Sequence, residues 1–214
     1  LKENGLKNLR INQKKFIYLI SPNTINKFFY TNLISIFKVQ KVSFFQLRMK
    51  KKKFKEKLLV GKKIKKICKK YKVKFLVNDD VLLSKKLNAD GCHLGQKDMN
   101  LINARKLINK KIIGITCHNS IKLAKMAVKN NADYIALGAF NDSKTKKTKY
   151  RAKIDLLKRV KKITNTPIVA IGGINYNNYK KLLLNKANFL AISGYVWKNK
   201  KLKPLEAIKK LKWK

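Results

Sequence analysis

Asn88-Ala89-Asp90-Gly91-Cys92-His93-Leu94-Gly95-Gln96-Lys97-Asp98 packs a tight turn, a short apolar run and a polar, glycine-bearing exit into one short stretch. An apolar run bounded by turn residues reads as a buried strand. The opening phrase returns as Asn131-Ala132-Asp133-Tyr134 and as Lys186-Ala187-Asn188-Phe189, each time just ahead of another apolar run. Working outward from these anchors gives eight candidate strands: Phe16 to Ile20, Val42 to Leu47, Val73 to Val77, Gly91 to Leu94, Ile112 to Ile115, Tyr134 to Leu137, Ile168 to Ile171 and Phe189 to Ile192. Helical patterns fill the intervals. Leu123, Ala124, Ala127 and Val128 share one face of Ile121 to Asn130, and Ile154, Leu157, Val160 and Ile163 share one of Ile154 to Ile163. Strands alternating with helices predict a parallel sheet. The repeated turn precedes strands four, six and eight, an echo at every second unit. Eight units in about 200 residues then predict an α/β protein folded as a single (β/α)8 TIM barrel, not an open doubly wound sheet. No Pro-, Gly- or Ser-rich linker interrupts the series, so residues 1–15 read as a polar N-terminal extension and 16–214 as one barrel domain.

The 214 residues include 45% hydrophobic side chains, with 10 Phe, 8 Tyr and 2 Trp, which is enough for a full core and excludes a disordered basic tail. Lys and Arg number 54 against 10 Asp and Glu, a net charge of +44. Only Arg10, Arg48, Arg105, Arg151 and Arg159 are Arg; the rest are Lys spread along nearly every polar segment. Reading of bases and phosphates favours the planar fork of Arg, so the excess reads as a solvated Lys surface with non-specific affinity for polyanions and no specific nucleic-acid partner. No apolar run approaches the roughly 20 residues of a membrane span, and Leu1 to Lys15 lacks the apolar centre of a signal peptide. Cys68, Cys92 and Cys117 are far apart and form no CxxC pair, which suits a reducing compartment. A cytoplasmic protein without a membrane partner is expected, and the missing initiator Met points to a start upstream.

In barrels of this class chemistry sits on the loops after the strands, so Asp90 and Asp133, which precede strands, read as turn residues. Alternation in Gln46-Leu47-Arg48-Met49-Lys50 sends Gln46, Arg48 and Lys50 the same way, two cations and an amide suited to a diphosphate. Three of the ten acidic residues, Asp79, Asp80 and Asp98, cluster at adjacent strand ends. Carboxylates without thiolates make a hard oxygen site for Mg²⁺ held partly by phosphates; Asp79 and Asp98 read as its ligands, with His93 left out of the set. The alternative for Asp98 is a cap of the helix Asn100 to Ile108, and for Asp79 or Asp80 a cap of the helix from Val81, which Asp80 suits better. After the fifth strand, Thr116 reads as a hydroxyl donor to phosphate. A Cys117–His118 nucleophile and base is disfavoured because neighbours on a strand point to opposite sides, and His118 is either a mouth residue or a packed imidazole. Ser143, Thr145 and Lys146 lie in the long loop after the sixth strand, where loops over a barrel mouth carry function. Gly172-Gly173 after strand seven and Ile192-Ser193-Gly194 after strand eight form a backbone cup for a monophosphate.

Taken together, Gln46-Leu47-Arg48-Met49-Lys50, Asn78-Asp79, Ala89-Asp90-Gly91-Cys92-His93-Leu94-Gly95-Gln96-Lys97-Asp98, Thr145-Lys146 and Val169-Ala170-Ile171-Gly172-Gly173-Ile174 resemble the thiamine phosphate synthase family. The resemblance spans residues 46 to 174, with compatible flanks from about 16 to 197. It implies a (β/α)8 transferase that condenses 4-amino-2-methyl-5-hydroxymethylpyrimidine diphosphate with a thiazole phosphate, giving thiamine monophosphate and diphosphate. It also implies that Asp79 and Asp98 bind Mg²⁺, that Gln46, Arg48, Lys50, Asn78, Thr116 and Lys146 hold diphosphate and pyrimidine, and that Gly173 with the Ile192 and Ser193 backbone holds the thiazole phosphate. Arg48, Lys50 and Lys146 would stabilise the departing diphosphate, so no strong general base is needed. Asp80 stands where the family commonly has Arg, Thr116 where it has Ser, and Ala139 and Asp142 where it has loop prolines. A related thiazole tautomerase-like isomerase using His118 as proton shuttle, and a non-catalytic polyanion-binding module, are the alternatives. The partners implied are phosphorylated small molecules, and a homodimer is left open.

Overall fold

The computed structural model describes residues 15–142 and 149–213. Eight strands alternate with helices: β1 (Ile17–Ile20), α1 (Phe29–Lys38), β2 (Val42–Leu47), α2 (Phe54–Lys70), β3 (Lys74–Asn78), α3 (Val81–Lys86), β4 (Gly91–Leu94) and α4 (Leu101–Ile108) make the first half. The second is β5 (Ile112–His118), α5 (Ile121–Lys129), β6 (Tyr134–Gly138), α6 (Asp155–Lys161), β7 (Ile168–Ile171), α7 (Tyr179–Leu184), β8 (Phe189–Ile192), α8 (Gly194–Trp197) and α9 (Pro204–Lys210). All neighbouring strands pair in parallel, and β1 closes on β8 with Ile17 opposite Leu190. The predicted (β/α)8 barrel is the fold.

Strand alternation sorts side chains into two cores. Tyr18, Phe44, Leu76, Tyr134, Val169 and Phe189 fill the barrel interior. Their sequence neighbours Ile17, Phe45, Phe75, Ile135, Ala170 and Leu190 face the helices. The repeated turn phrase has a task of its own. Asp90 accepts the Phe75 N–H at 2.8 Å, Asp133 accepts the Ile113 N–H at 2.8 Å, and Asn188 accepts the Ile168 N–H at 2.8 Å. In each case the residue ahead of an even strand pins the start of the odd strand before it. That explains the two-unit echo and keeps Asp90 and Asp133 at the stability end of the barrel.

Strand boundaries differ from the sequence reading by one residue at the start of β1, at both ends of β3 and at the end of β6, and by three at the end of β5. The Val73 N–H bonds the Cys68 carbonyl at the end of α2, so β3 starts one residue later, at Lys74. The fifth strand runs on to His118, with a bulge between Thr116 and His118. Lys15 aside, the N-terminal extension lies outside the described residues. Among the described residues no helix is long and apolar enough to cross a membrane.

Candidate active site

The C-terminal ends of β2, β3 and β4 bring the charged groups together. Lys50 Nζ lies 2.9 Å from Asp79 Oδ2. Arg48 is steadied by its own N–H, which donates to Ser21 Oγ at 2.8 Å, and by its guanidinium, which donates to Asn23 Oδ1 at 3.3 Å. Asp79 stays in register with β4, its N–H donating to the His93 carbonyl at 2.8 Å, while its φ of 64° turns the chain out of the strand. Asp98 Oδ2 accepts the Gly95 N–H at 2.7 Å. It does not cap α4, because Asn100 does so by accepting the Asn103 N–H at 2.9 Å. Asp80 is the cap of α3: one carboxylate oxygen accepts the Leu83 N–H at 2.9 Å and the other takes Lys57 Nζ at 2.9 Å. Asp80→Ala should therefore lower stability by about 1 kcal/mol, read as a lower urea midpoint.

Asp79 and Asp98 are close enough to perturb each other. Burial works against ionisation of Asp79, but the Lys50 ammonium and the shared hydrogen bond with Asp98 outweigh it and hold the carboxyl below its usual range. Burial and then Asp79 push Asp98 up. Two carboxyls driven apart in this way are a site that a cation would relieve. Among the described residues no group of three His, Cys, Asp or Glu forms, so a cation here would draw its other oxygens from its ligand and from water. That donor set fits Mg²⁺, which prefers one or two carboxylates plus phosphate oxygens. An open cleft of about 520 Å³ lies against the pair, with Lys50, Lys57 and Lys97 along its wall.

Below the mouth runs a polar chain that sequence reasoning missed. Tyr18 Oη donates to Gln46 Oε1 at 2.6 Å and lies 2.8 Å from Tyr134 Oη. Tyr134 Oη lies 2.8 Å from His93 Nδ1, and His93 Nε2 lies 2.8 Å from Thr116 Oγ1. At the other end Gln46 Nε2 donates to Asn78 Oδ1. Tyr18, Tyr134, Gln46 and His93 are all buried, whereas Asn78 and Thr116 are partly exposed. Burial pushes His93 down to about 4, so its ring is neutral at physiological pH. The available signal was strand phase: these four residues fall on inward-facing positions of a barrel whose interior is otherwise apolar.

Cys117 is buried and its thiol is pushed up to about 12 by burial, which removes it as a nucleophile. His118 sits at φ 51° on the bulge and stacks on Tyr150 with ring centroids 4.1 Å apart. On the far rim, Gly173 has φ 58°, and a Cβ there would come within 2.2 Å of the Asp142 carbonyl oxygen. The Asn175 and Asn178 amides donate to the Gly173 carbonyl at 3.2 and 3.0 Å, fixing the glycine turn. Ser193 follows Ile192 at the end of β8, and its hydroxyl donates to the Ser21 carbonyl at 3.4 Å. The structure thus brings Gln46, Arg48, Lys50, Asn78, Asp79, Asp98 and Thr116 to one side of the mouth and Gly173, Ile192 and Ser193 to the other. Ser143, Thr145 and Lys146 lie outside the described residues; Asp142 at the near edge of that segment pairs with Arg151.

A family model described as thiamine monophosphate synthase matches residues 17–196, from β1 into α8. The chain belongs to the thiamine monophosphate synthase family. A thiamine-phosphate synthase of Pelagibacter ubique is 67% identical over 208 residues, covering 97% of this chain and 100% of the relative. One from Erythrobacter litoralis is 39% identical over 186 residues, covering 85% and 87%. Among solved structures, a thiamine phosphate pyrophosphorylase from Pyrococcus furiosus superposes with a TM-score of 0.81 at 25% identity, covering 92% of this chain and 94% of that one. Membership of this synthase family makes the protein a transferase of thiamine biosynthesis that joins a pyrimidine to a thiazole moiety.

Proposed function

We propose that the mouth of this barrel transfers the pyrimidinylmethyl group of 4-amino-2-methyl-5-hydroxymethylpyrimidine diphosphate to the nitrogen of 4-methyl-5-(2-phosphoethyl)thiazole, forming thiamine monophosphate and diphosphate. The observation that carries this reading is the Asp79–Asp98 pair beside Lys50 and Arg48, a site for a metal-bound diphosphate on one rim, opposite the glycine turn on the other. Asp79 and Asp98 would hold Mg²⁺, which when bound offsets the charge of the leaving diphosphate. Arg48 and Lys50, with Lys146 and the hydroxyls of Ser143 and Thr145 from the long loop, hold the diphosphate oxygens and stabilise the negative charge that grows on them. Gln46, Asn78 and Thr116 orient the pyrimidine. Gly173 and the backbone of Ile192 and Ser193 seat the thiazole phosphate, so that the nucleophilic nitrogen faces the reacting carbon.

The thiazole nitrogen attacks with its own lone pair, so the chain supplies no base. This agrees with His93, both of whose ring nitrogens are engaged in buried hydrogen bonds. An isomerase built on His118 gives the carboxylate pair and Arg48 no task. Expression of the chain in a bacterial strain lacking its own thiamine-phosphate synthase should restore growth without added thiamine. Soluble expression without growth, in a strain that the Pelagibacter relative rescues, is the opposing result.

A further inference from the structure

We propose that Tyr18, Tyr134 and His93 are positioning residues that form a hydrogen-bond chain fixed in one direction, making Thr116 an acceptor and Asn78 a donor toward the aminopyrimidine substrate. The substrate half of this statement rests on the synthase reading above; the direction of the chain does not.

The direction follows from counting donors. Gln46 Oε1 accepts from Tyr18, so the Tyr18 hydroxyl proton is committed to Gln46. Tyr18 Oη, 2.8 Å from Tyr134 Oη, is left as the acceptor in that contact, and the Tyr134 proton is committed to Tyr18. Tyr134 Oη must then accept from His93, which places the imidazole proton on Nδ1. His93 Nε2 is left with a lone pair and takes the Thr116 hydroxyl proton. At the opposite end Gln46 Nε2 donates to Asn78 Oδ1, leaving the Asn78 amide N–H pair for a ligand. Every proton in the buried chain is thereby assigned, and none of its atoms is orphaned. Only the two ends are partly exposed. Thr116 shows a ligand lone pairs and Asn78 shows it N–H groups.

An aminopyrimidine carries an amine donor and a ring-nitrogen acceptor, so it can use both ends. A phosphoryl oxygen is an acceptor only and gains nothing from Thr116. The chain therefore assigns Thr116 to the pyrimidine, in contrast to the expectation of a hydroxyl donor to phosphate. Tyr18 and Tyr134 carry to His93 the direction that Gln46 sets by presenting Oε1 to Tyr18 and Nε2 to Asn78: with all donors turned round, His93 would carry its proton on Nε2 and Thr116 would become a donor.

The test is side-chain nitrogen NMR of the full chain labelled at histidine, with His118→Gln used to assign the two imidazoles. Native protein should show His93 protonated on Nδ1 and bare on Nε2. Tyr18→Phe removes the acceptor of the Tyr134 proton, so Tyr134 should turn to donate to Nδ1 and His93 should change to the Nε2–H form. In the same variant KM for the pyrimidine diphosphate should rise about tenfold, as expected for misaligned hydrogen bonds, with KM for the thiazole phosphate unchanged. Native His93 protonated on Nε2 or on both nitrogens overturns the proposal, as does a Tyr18→Phe variant with unaltered tautomer and KM. If the native chain makes no thiamine monophosphate, the synthase reading and the substrate half fail together, and the native tautomer alone decides the direction of the chain.

Discussion

Asp98→Ala should lower the rate of thiamine monophosphate formation by about a hundredfold or more, the scale expected when an electrophilic metal site is broken. In the native chain Asp79 pairs with Lys50 at 2.9 Å, and Asp98, which perturbs Asp79, supplies the second carboxyl of the site. Without Asp98 the site keeps only Asp79, whose charge Lys50 already offsets, and the attraction for a divalent cation falls. The variant should therefore need more Mg²⁺ for half its own maximal rate, in addition to losing kcat. Its fold should survive, since the main structural loss is one acceptor for the Gly95 N–H, worth about 1 kcal/mol. Rate measured against MgCl2 concentration, with circular dichroism to confirm folding, checks both parts. A folded variant with the native rate at the same Mg²⁺ concentration contradicts the assignment of the carboxylate pair.

Gly114→Ala is expected to have a large effect on stability. A Cβ at Gly114 would lie 1.9 Å from Cζ of Tyr134. The ring cannot simply step aside, because Tyr134 is 1% exposed and its hydroxyl is held between Tyr18 and His93 at 2.8 Å on each side. Either β5 moves away from β6 or the hydroxyl leaves the chain and is buried without partners. Overpacking of this kind costs about 3 kcal/mol, and more if the hydrogen bonds are lost. Urea unfolding should show a clear fall in midpoint, or the variant should fail to accumulate. An unchanged midpoint would mean that Tyr134 is free to move.

Strand existence was legible because both faces of a parallel barrel strand are covered, which leaves continuous apolar runs such as Tyr134–Leu137 and Ile168–Ile171. The repeated Asn-Ala-Asp phrase was legible as a two-unit period. Its physical cause, a side chain pinning the start of another strand, was not, because Asp133 and Ile113 are far apart in sequence. Asp79 and Asp98 stood out because acidic residues are scarce in this chain, and the same scarcity drew Asp80, which caps α3. Lys50 carried little information in a sequence so rich in Lys, yet it is the residue paired with Asp79. Tyr18 and Tyr134 lie inside strand runs with nothing in the local sequence to mark them, and His93 was set aside as a ligand. Their hydroxyl and imidazole contacts appear only when β1, β4 and β6 face one another across a closed barrel, a juxtaposition that strand phase permits but local sequence does not specify.

The most direct measurement is the product itself. Purified protein, given the pyrimidine diphosphate, the thiazole phosphate and Mg²⁺, should yield thiamine monophosphate and diphosphate in equal amounts, and product should vanish when the Mg²⁺ is chelated. Folded protein that releases diphosphate without thiamine monophosphate, or yields neither product, would contradict the account.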